Sequence, residues 1–209
     1  MVPFTRTFIL AALVAANAQA QEAHLGLAFG LLMPTSAFRS TTYGPTTTVP
    51  VSQTEGYDLG MGAQFTASFP LDQRTAIRLN INGHNTNGTN VARGYTTLNL
   101  EHSIFSVSAE MQFFSGSAYR HRGAYLFAGL SADFETFDRS SGDVGWDSTS
   151  TTRKSRGGAT LGVGRTFGYE GGYRFTIELA YHKTLNGTDA ARQDPPSSDF
   201  FKMNFGWVF

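Results

Sequence analysis

The sequence predicts an all-β fold, with eight antiparallel strands joined up-and-down and closed into a barrel. Three observations predict it. Apolar residues recur at every second position in eight separate stretches, which is the period of a strand and not of a helix face. The stretches are joined alternately by long polar segments and by tight turns. The 209 residues include 23 Gly and 13% aromatics but no uninterrupted apolar run of the ~18 residues a membrane helix needs.

The first twenty residues stand apart. Arg6 supplies one positive charge, FILAALVAA is a short apolar core, and Ala18-Gln19-Ala20 is an A-x-A cleavage site. Residues 1–20 therefore read as a signal peptide and 21–209 as the barrel domain. Cleavage removes Arg6 and leaves 15 basic against 16 acidic groups, a net charge of −1, so no electrostatic footprint points to nucleic acid. The absence of Cys excludes disulfides, thiolate metal sites, cysteine nucleophiles and lipoprotein acylation.

The strands follow in order. HLGLAFGLLMP sets Leu25, Leu27, Phe29, Leu31 and Met33 on one parity. GYDLGMGAQFTASF sets Tyr57, Leu59, Met61, Phe65 and Phe69 against Asp58, Gly60, Gly62, Gln64 and Ser68. AIRLNING sets Ile77, Leu79 and Ile81 against Arg78, Asn80 and Asn82. FSVSAEMQF sets Phe105, Val107, Met111 and Phe113 against Ser106, Ser108, Glu110 and Gln112. The preceding TTLNLEHSI runs on the opposite parity, which predicts a bulge near Ile104-Phe105.

AYLFAGLSADF admits two phases, of which Leu126, Leu130 and Phe134 make the better apolar face. ATLGVGRTF offers Leu161, Val163 and Phe167, with Arg165 anomalous on the same parity. YRFTIELAY gives Tyr173, Phe175, Ile177, Leu179 and Tyr181 against Arg174 and Glu178. FFKMNFGWVF closes with Phe201, Met203, Phe205, Trp207 and Phe209 against Lys202, Asn204 and Gly206. Long polar connections are expected at Thr35–Glu55, His84–Thr96, Thr136–Arg156 and Thr184–Asp199, and tight turns at Pro70–Arg74, Ser115–Gly123 and Gly168–Gly172.

Volume decides which face is dry. An eight-stranded barrel has an interior just wide enough for its own side chains or one small ligand. The large residues overfill such a space, so they belong outside against lipid, and the Gly, Ser, Thr and Asn face belongs inside. Strands of eight to eleven alternating residues match the ~9–11 that cross a bilayer. Tyr57, Phe69, Phe113, Tyr125, Phe167, Tyr173, Tyr181, Trp207 and Phe209 fall where interfacial girdles form. Closure also leaves no backbone polar group facing hydrocarbon. The expectation is a transmembrane barrel.

With that pattern, and a last strand alternating as far as Phe209, the chain resembles the small outer-membrane β-barrel family of Gram-negative bacteria, the OmpA/OmpX type, from about His24 to Phe209. The resemblance implies an outer-membrane location, contact with membrane lipids and lipopolysaccharide, and a monomer. It also implies an assembly signal at Phe205, Trp207 and Phe209 read by the barrel-assembly machinery. No peptidoglycan-binding domain is expected after Phe209.

Five charges fall on the inward parity: Asp58, Arg78, Glu110, Glu178 and Lys202, with Arg174 near the short-turn end. Ionised groups in a narrow interior must pair or stay wet, so they read as a luminal charge network, with a gated ion pathway as the alternative. Lipid A deacylases of the PagL kind carry a His and a Ser one residue apart on a lipid-facing strand end. Here His182, Thr184 and Asn186 are a faint echo, and His182 reads rather as an interfacial polar residue. The five His lack paired zinc spacing, the glycines of Gly157 to Gly164 lack a phosphate-loop Lys, and Asp138, Asp143 and Asp147 lack calcium-loop spacing. No cofactor, metal site or catalytic residue is expected. The functional expectation is a non-catalytic envelope or surface-contact role through the long connections, with a narrow channel as the alternative.

Overall fold

In the computed structural model the described residues are 23–35, 40–43, 52–92, 96–143, 146–168, 173–185 and 199–209. Every regular element among them is a strand: β1 (His24–Pro34), β2 (Ser40–Tyr43), β3 (Ser52–Tyr57), β4 (Gly60–Pro70), β5 (Thr75–Ala92), β6 (Thr96–Phe114), β7 (Gly123–Asp143), β8 (Trp146–Phe167), β9 (Arg174–Thr184) and β10 (Phe200–Val208). The expected signal peptide lies outside the described residues, as do most of the connections Thr35–Glu55 and Thr184–Asp199.

Eight strands close the barrel. Each of β4 to β10 pairs antiparallel with its neighbour in sequence, and β1 pairs both β4 and β10. Phe209 N donates to Leu25 O at 2.8 Å, so the start of β1 and the end of β10 lie together at the mouth with the tight turns. The short β2 and β3 form a hairpin that adds to the far end of β5.

Burial follows the pleat. Leu27, Phe29, Phe65, Ile81, Phe105, Leu130, Leu161, Leu179 and Trp207 are exposed large apolar side chains on the outer wall. Alternate residues such as Gln64, Arg78, Asn80, Glu110, Glu178 and Asn204 are buried within it. This inverted arrangement, greasy outside and polar inside, is that of a transmembrane barrel. It resolves the two phases of AYLFAGLSADF: Leu126 and Leu130 face out, while Tyr125 and Phe127 fill the lumen at 3% and 1% exposure. Tyr125 is thus not a girdle residue. Phe113, Phe167, Tyr173, Trp207 and Phe209 are exposed, and the side chain of Tyr57 is outside the described set.

Two expectations are corrected. β6 carries no bulge at Ile104-Phe105, because its register with β5 is unbroken from Thr96 to Phe113. Ile104 keeps the inward parity and packs inside with Leu32 and Phe200, so the local change of apolar face had misled. The irregularity falls at Asp58-Leu59 instead. Four steps from Tyr57 to Met61 span three steps on β5, from Gly88 to Asn85, which is one extra residue and a β-bulge.

The segments His84–Thr96 and Thr136–Arg156 are also largely strand rather than loop. β5 to β8 run 18, 19, 21 and 22 residues, about twice what a membrane crossing uses. In the extra length their outer face has no acyl chains to meet and their inner face stays buried around polar groups such as Thr86, His102 and Glu135, so Thr, Ser and Asn extend the hairpins without hydrophobic alternation.

Candidate functional site

The lumen is the candidate site, and it is filled in layers. At the turn-side mouth, the β6–β7 turn folds back into the opening. Ala118 N donates to Gln73 O (2.8 Å), His24 Nε2 meets Tyr119 O (2.8 Å), and Arg174 donates to Arg120 O. His121, at φ 42, turns inward to Thr166 Oγ1 (3.1 Å) and packs edge-on against Phe114 and Tyr125. Burial pushes its imidazole down to about 3, and His24, 5.7 Å away between ring centroids, adds to the shift.

The next layer holds the charges. Arg78 of β5 sits directly opposite Glu110 of β6 in register. It donates from Nε (2.9 Å) and Nη2 (2.5 Å) to Glu110 Oε2, and from Nη1 to Glu178 of β9. Tyr125 Oη donates to Glu178 Oε1 (2.5 Å), and the guanidinium lies 4.5 Å from the Phe127 centroid. Gln64 Oε1 accepts from Lys202 Nζ (3.0 Å) and Asn204 Nδ2 (2.8 Å), and Asn80 Nδ2 donates to Ser108 Oγ (2.9 Å). Glycines on β8 make room: a Cβ at Gly162 would strike Phe127, and one at Gly164 would strike Tyr125.

A cavity of about 10 Å³ follows, lined in part by Asn82, His84, Glu110, His182 and Lys202, with the volume for one water. Above it Asp133 Oδ2 meets His182 Nε2 (3.0 Å), and His182 Nδ1 meets Thr160 Oγ1 (3.1 Å). Phe200 stacks on His182 at 4.7 Å. At the outer end Arg156 Nε lies 3.5 Å from Glu135, and His102 stacks on Phe137 at 4.0 Å.

Of the five charges singled out in the sequence, the structure brings together Arg78, Glu110, Glu178 and Lys202. It leaves out Asp58, which is exposed at the bulge where the parity breaks. His182 is buried in the lumen rather than at an interface, because it shares the inward parity of Glu178. Sequence reasoning missed Asp133, Glu135, Arg156 and the inward orientation of all five His. For Asp133 the signal was present, since it alternates with Leu130 and Phe134. Glu135 and Arg156 lie where apolar alternation has ended. Asp133, His182 and Thr160 line up as carboxylate, imidazole and hydroxyl, but a one-water cavity has no room for an acyl substrate. Among the described residues no three His, Asp or Glu are placed to hold a metal.

A filled lumen, a greasy outer wall and eight antiparallel strands define the transmembrane β-barrel fold of small outer-membrane proteins. No family model matches the chain, and no curated protein matches it. Among solved structures it is similar to Ail, the attachment invasion locus protein of Yersinia pestis, in complex with the heparin analogue sucrose octasulfate. That likeness has a TM-score of 0.53 at 11% identity, covering 90% of this chain and 99% of that one. It is similar also to the outer membrane protein OprG from Pseudomonas aeruginosa, with a TM-score of 0.52 at 12% identity over 90% and 95% of the two chains. At such identities the likeness is one of fold.

Proposed function

We propose that this chain is an integral, non-catalytic barrel of the Gram-negative outer membrane, exported by cleavage after Ala20, that acts in envelope integrity or surface contact. The tight turns face the periplasm, and the extended hairpins β5–β6 and β7–β8 form the external working surface. One observation carries the reading: the lumen is blocked by buried, mutually paired side chains, while β5 to β8 run about twice the length that a membrane crossing uses. Lipids and lipopolysaccharide are the immediate partners, the barrel-assembly machinery reads Phe205, Trp207 and Phe209, and the protein works as a monomer. The luminal role of Arg78, Glu110, Glu178 and Lys202 is to seal the barrel and hold its register.

The test is purification in detergent, then heat-modifiable gel mobility and planar-bilayer conductance. A heat-dependent shift without steady current is the expected result. Discrete, reproducible currents would replace the sealed barrel with the narrow-channel reading, which draws on the polar lining of the lumen.

A further inference from the structure

We infer that the β6–β7 turn is an acid-released plug of the barrel's turn-side mouth, with His121 as its trigger. Its periplasmic address rests on the outer-membrane reading above, whereas the latch and the trigger belong to the turn itself.

The turn is a hinged tip. Ser117 N donates to Arg122 O (3.2 Å) and Arg122 N donates to Ser117 O (2.9 Å), which leaves Ala118 to His121 beyond the bridge. Gly116 and Gly123 flank it; Gly123 holds φ 100, and a Cβ on Gly116 would strike Arg122 O. Within the tip His121 takes φ 42, the left-handed region that a residue with a side chain seldom occupies. The tip folds into the opening, where Ala118 is fully buried and joins the apolar cluster of Ala76, Phe114 and Tyr125. Polar latches hold it there: Ala118 N on Gln73 O, His24 Nε2 on Tyr119 O, Arg174 on Arg120 O, and His121 on Thr166.

The charge state of His121 decides whether the tip stays in. Phe114 of β6 and Tyr125 of β7 enclose its ring edge-on. His24 of β1, Arg78 of β5 and Arg174 of β9 each act against a positive charge on it. Among the described groups the carboxylate acting the other way is Glu178 of β9, which Arg78 and Tyr125 already hold. Asp72, on the β4–β5 turn to which the tip is latched, accepts from Arg74 N, Thr75 N and Thr75 Oγ1. The ionisable neighbours of His121 in its own turn are Tyr119, Arg120 and Arg122, with no acid between Ser115 and Gly123.

Buried, the imidazole is held down to about 3; swung into water it returns to about 6.5. Below about pH 6.5 the open tip takes up a proton that the closed tip refuses, so closure weakens as pH falls. Release uncovers Ala76, Phe114 and Tyr125 as an apolar cup, since Arg78 with its two acids still seals the lumen beneath.

The chain has no Cys, so the thiol of Ala118→Cys is a specific reporter of the tip. Its labelling by a dithiodipyridine in the detergent-folded mature barrel is divided by that of Leu71→Cys, an exposed site on the β4–β5 turn, which removes the thiol's own pH dependence. Heat-modifiable mobility scores the fold at each pH. The ratio should rise about thirtyfold from about pH 7.5 to pH 5 while the folded band persists, and adding His121→Gln should make it flat. A folded barrel with a flat ratio, or a folded His121→Gln variant that keeps the rise, overturns the plug and leaves the barrel reading standing. A rise that comes only with loss of the folded band overturns it as well, because acid then acts on the whole barrel. If His121→Gln does not fold, the slope decides: less than about threefold per pH unit between about pH 6 and pH 4 overturns the trigger. A protein that shows no heat-dependent shift even at neutral pH overturns the barrel reading and the periplasmic address with it.

Discussion

Replacing Arg78 with Met tests the sealed lumen most directly. The guanidinium is 3% exposed and holds two carboxylates, Glu110 and Glu178, which are equally buried. Met fills most of the stem but leaves both acids facing one another, with Lys202 as the remaining nearby cation. Removing one partner of a buried pair costs about 3–5 kcal/mol. Because Arg78 serves two acids and also lies on Phe127, the loss should fall at the upper end, about 5 kcal/mol. Urea unfolding in vesicles, followed by tryptophan fluorescence and gel mobility, measures it. The triple variant Arg78→Met, Glu110→Gln, Glu178→Gln removes the stranded charges and should recover to within about 2 kcal/mol of wild type, since neutral replacements of buried ion pairs are often tolerated. A single variant that loses less than ~1 kcal/mol, or a triple variant no better than the single, refutes the reasoning.

Three further outcomes are expected. Gly164→Ala drives a methyl into the Tyr125 ring and should cost about 1–3 kcal/mol, with much of it returned when Tyr125 is trimmed to Leu, as read by the same urea midpoint. His121, held down to about 3 by burial, stays neutral in the fold while the unfolded chain protonates from about 6.5 downward. Its contribution is thus intact above about pH 6.5 and lost as pH falls towards 3, by about 1.4 kcal/mol per pH unit at the steepest. His121→Gln should flatten that slope relative to wild type, and equal slopes would reject the assignment. Finally, His182→Ala should leave lipid A unaltered by mass spectrometry while lowering stability, whereas altered lipid A would revive catalysis at Asp133, His182 and Thr160.

What the sequence made legible follows from where hydrophobicity alternates. Phe65, Leu79, Met111 and Phe205 had to face one side, and the small polar residues between them the other, so the eight barrel strands, their order and four luminal charges could be read directly, whereas the polar hairpin of β2 and β3 inside Thr35–Glu55 could not. Legibility ended where lipid ends. In the extended parts of β5 to β8 the outer face carries no apolar run and the inner face is polar, so Thr, Ser and Asn there looked like loops, and the buried Glu135 and Arg156 could not be phased. Asp58 was lost to a single inserted residue, because alternation cannot report a bulge that shifts its own count. The three-dimensional closure that brings Glu178 to Arg78, a hundred residues away, leaves no local trace.

The direct opposition of Arg78 and Glu110 bears on how the strands come to be zipped correctly. Sliding β5 past β6 by one residue would swap oily and wet sides, an error the bilayer rejects unaided. Sliding by two preserves every oily contact and would pass that inspection. It would, however, park the guanidinium opposite Ser108 or Gln112 and strand two acids in the dry interior. The ionic knot therefore proofreads the misalignment to which greasiness is blind.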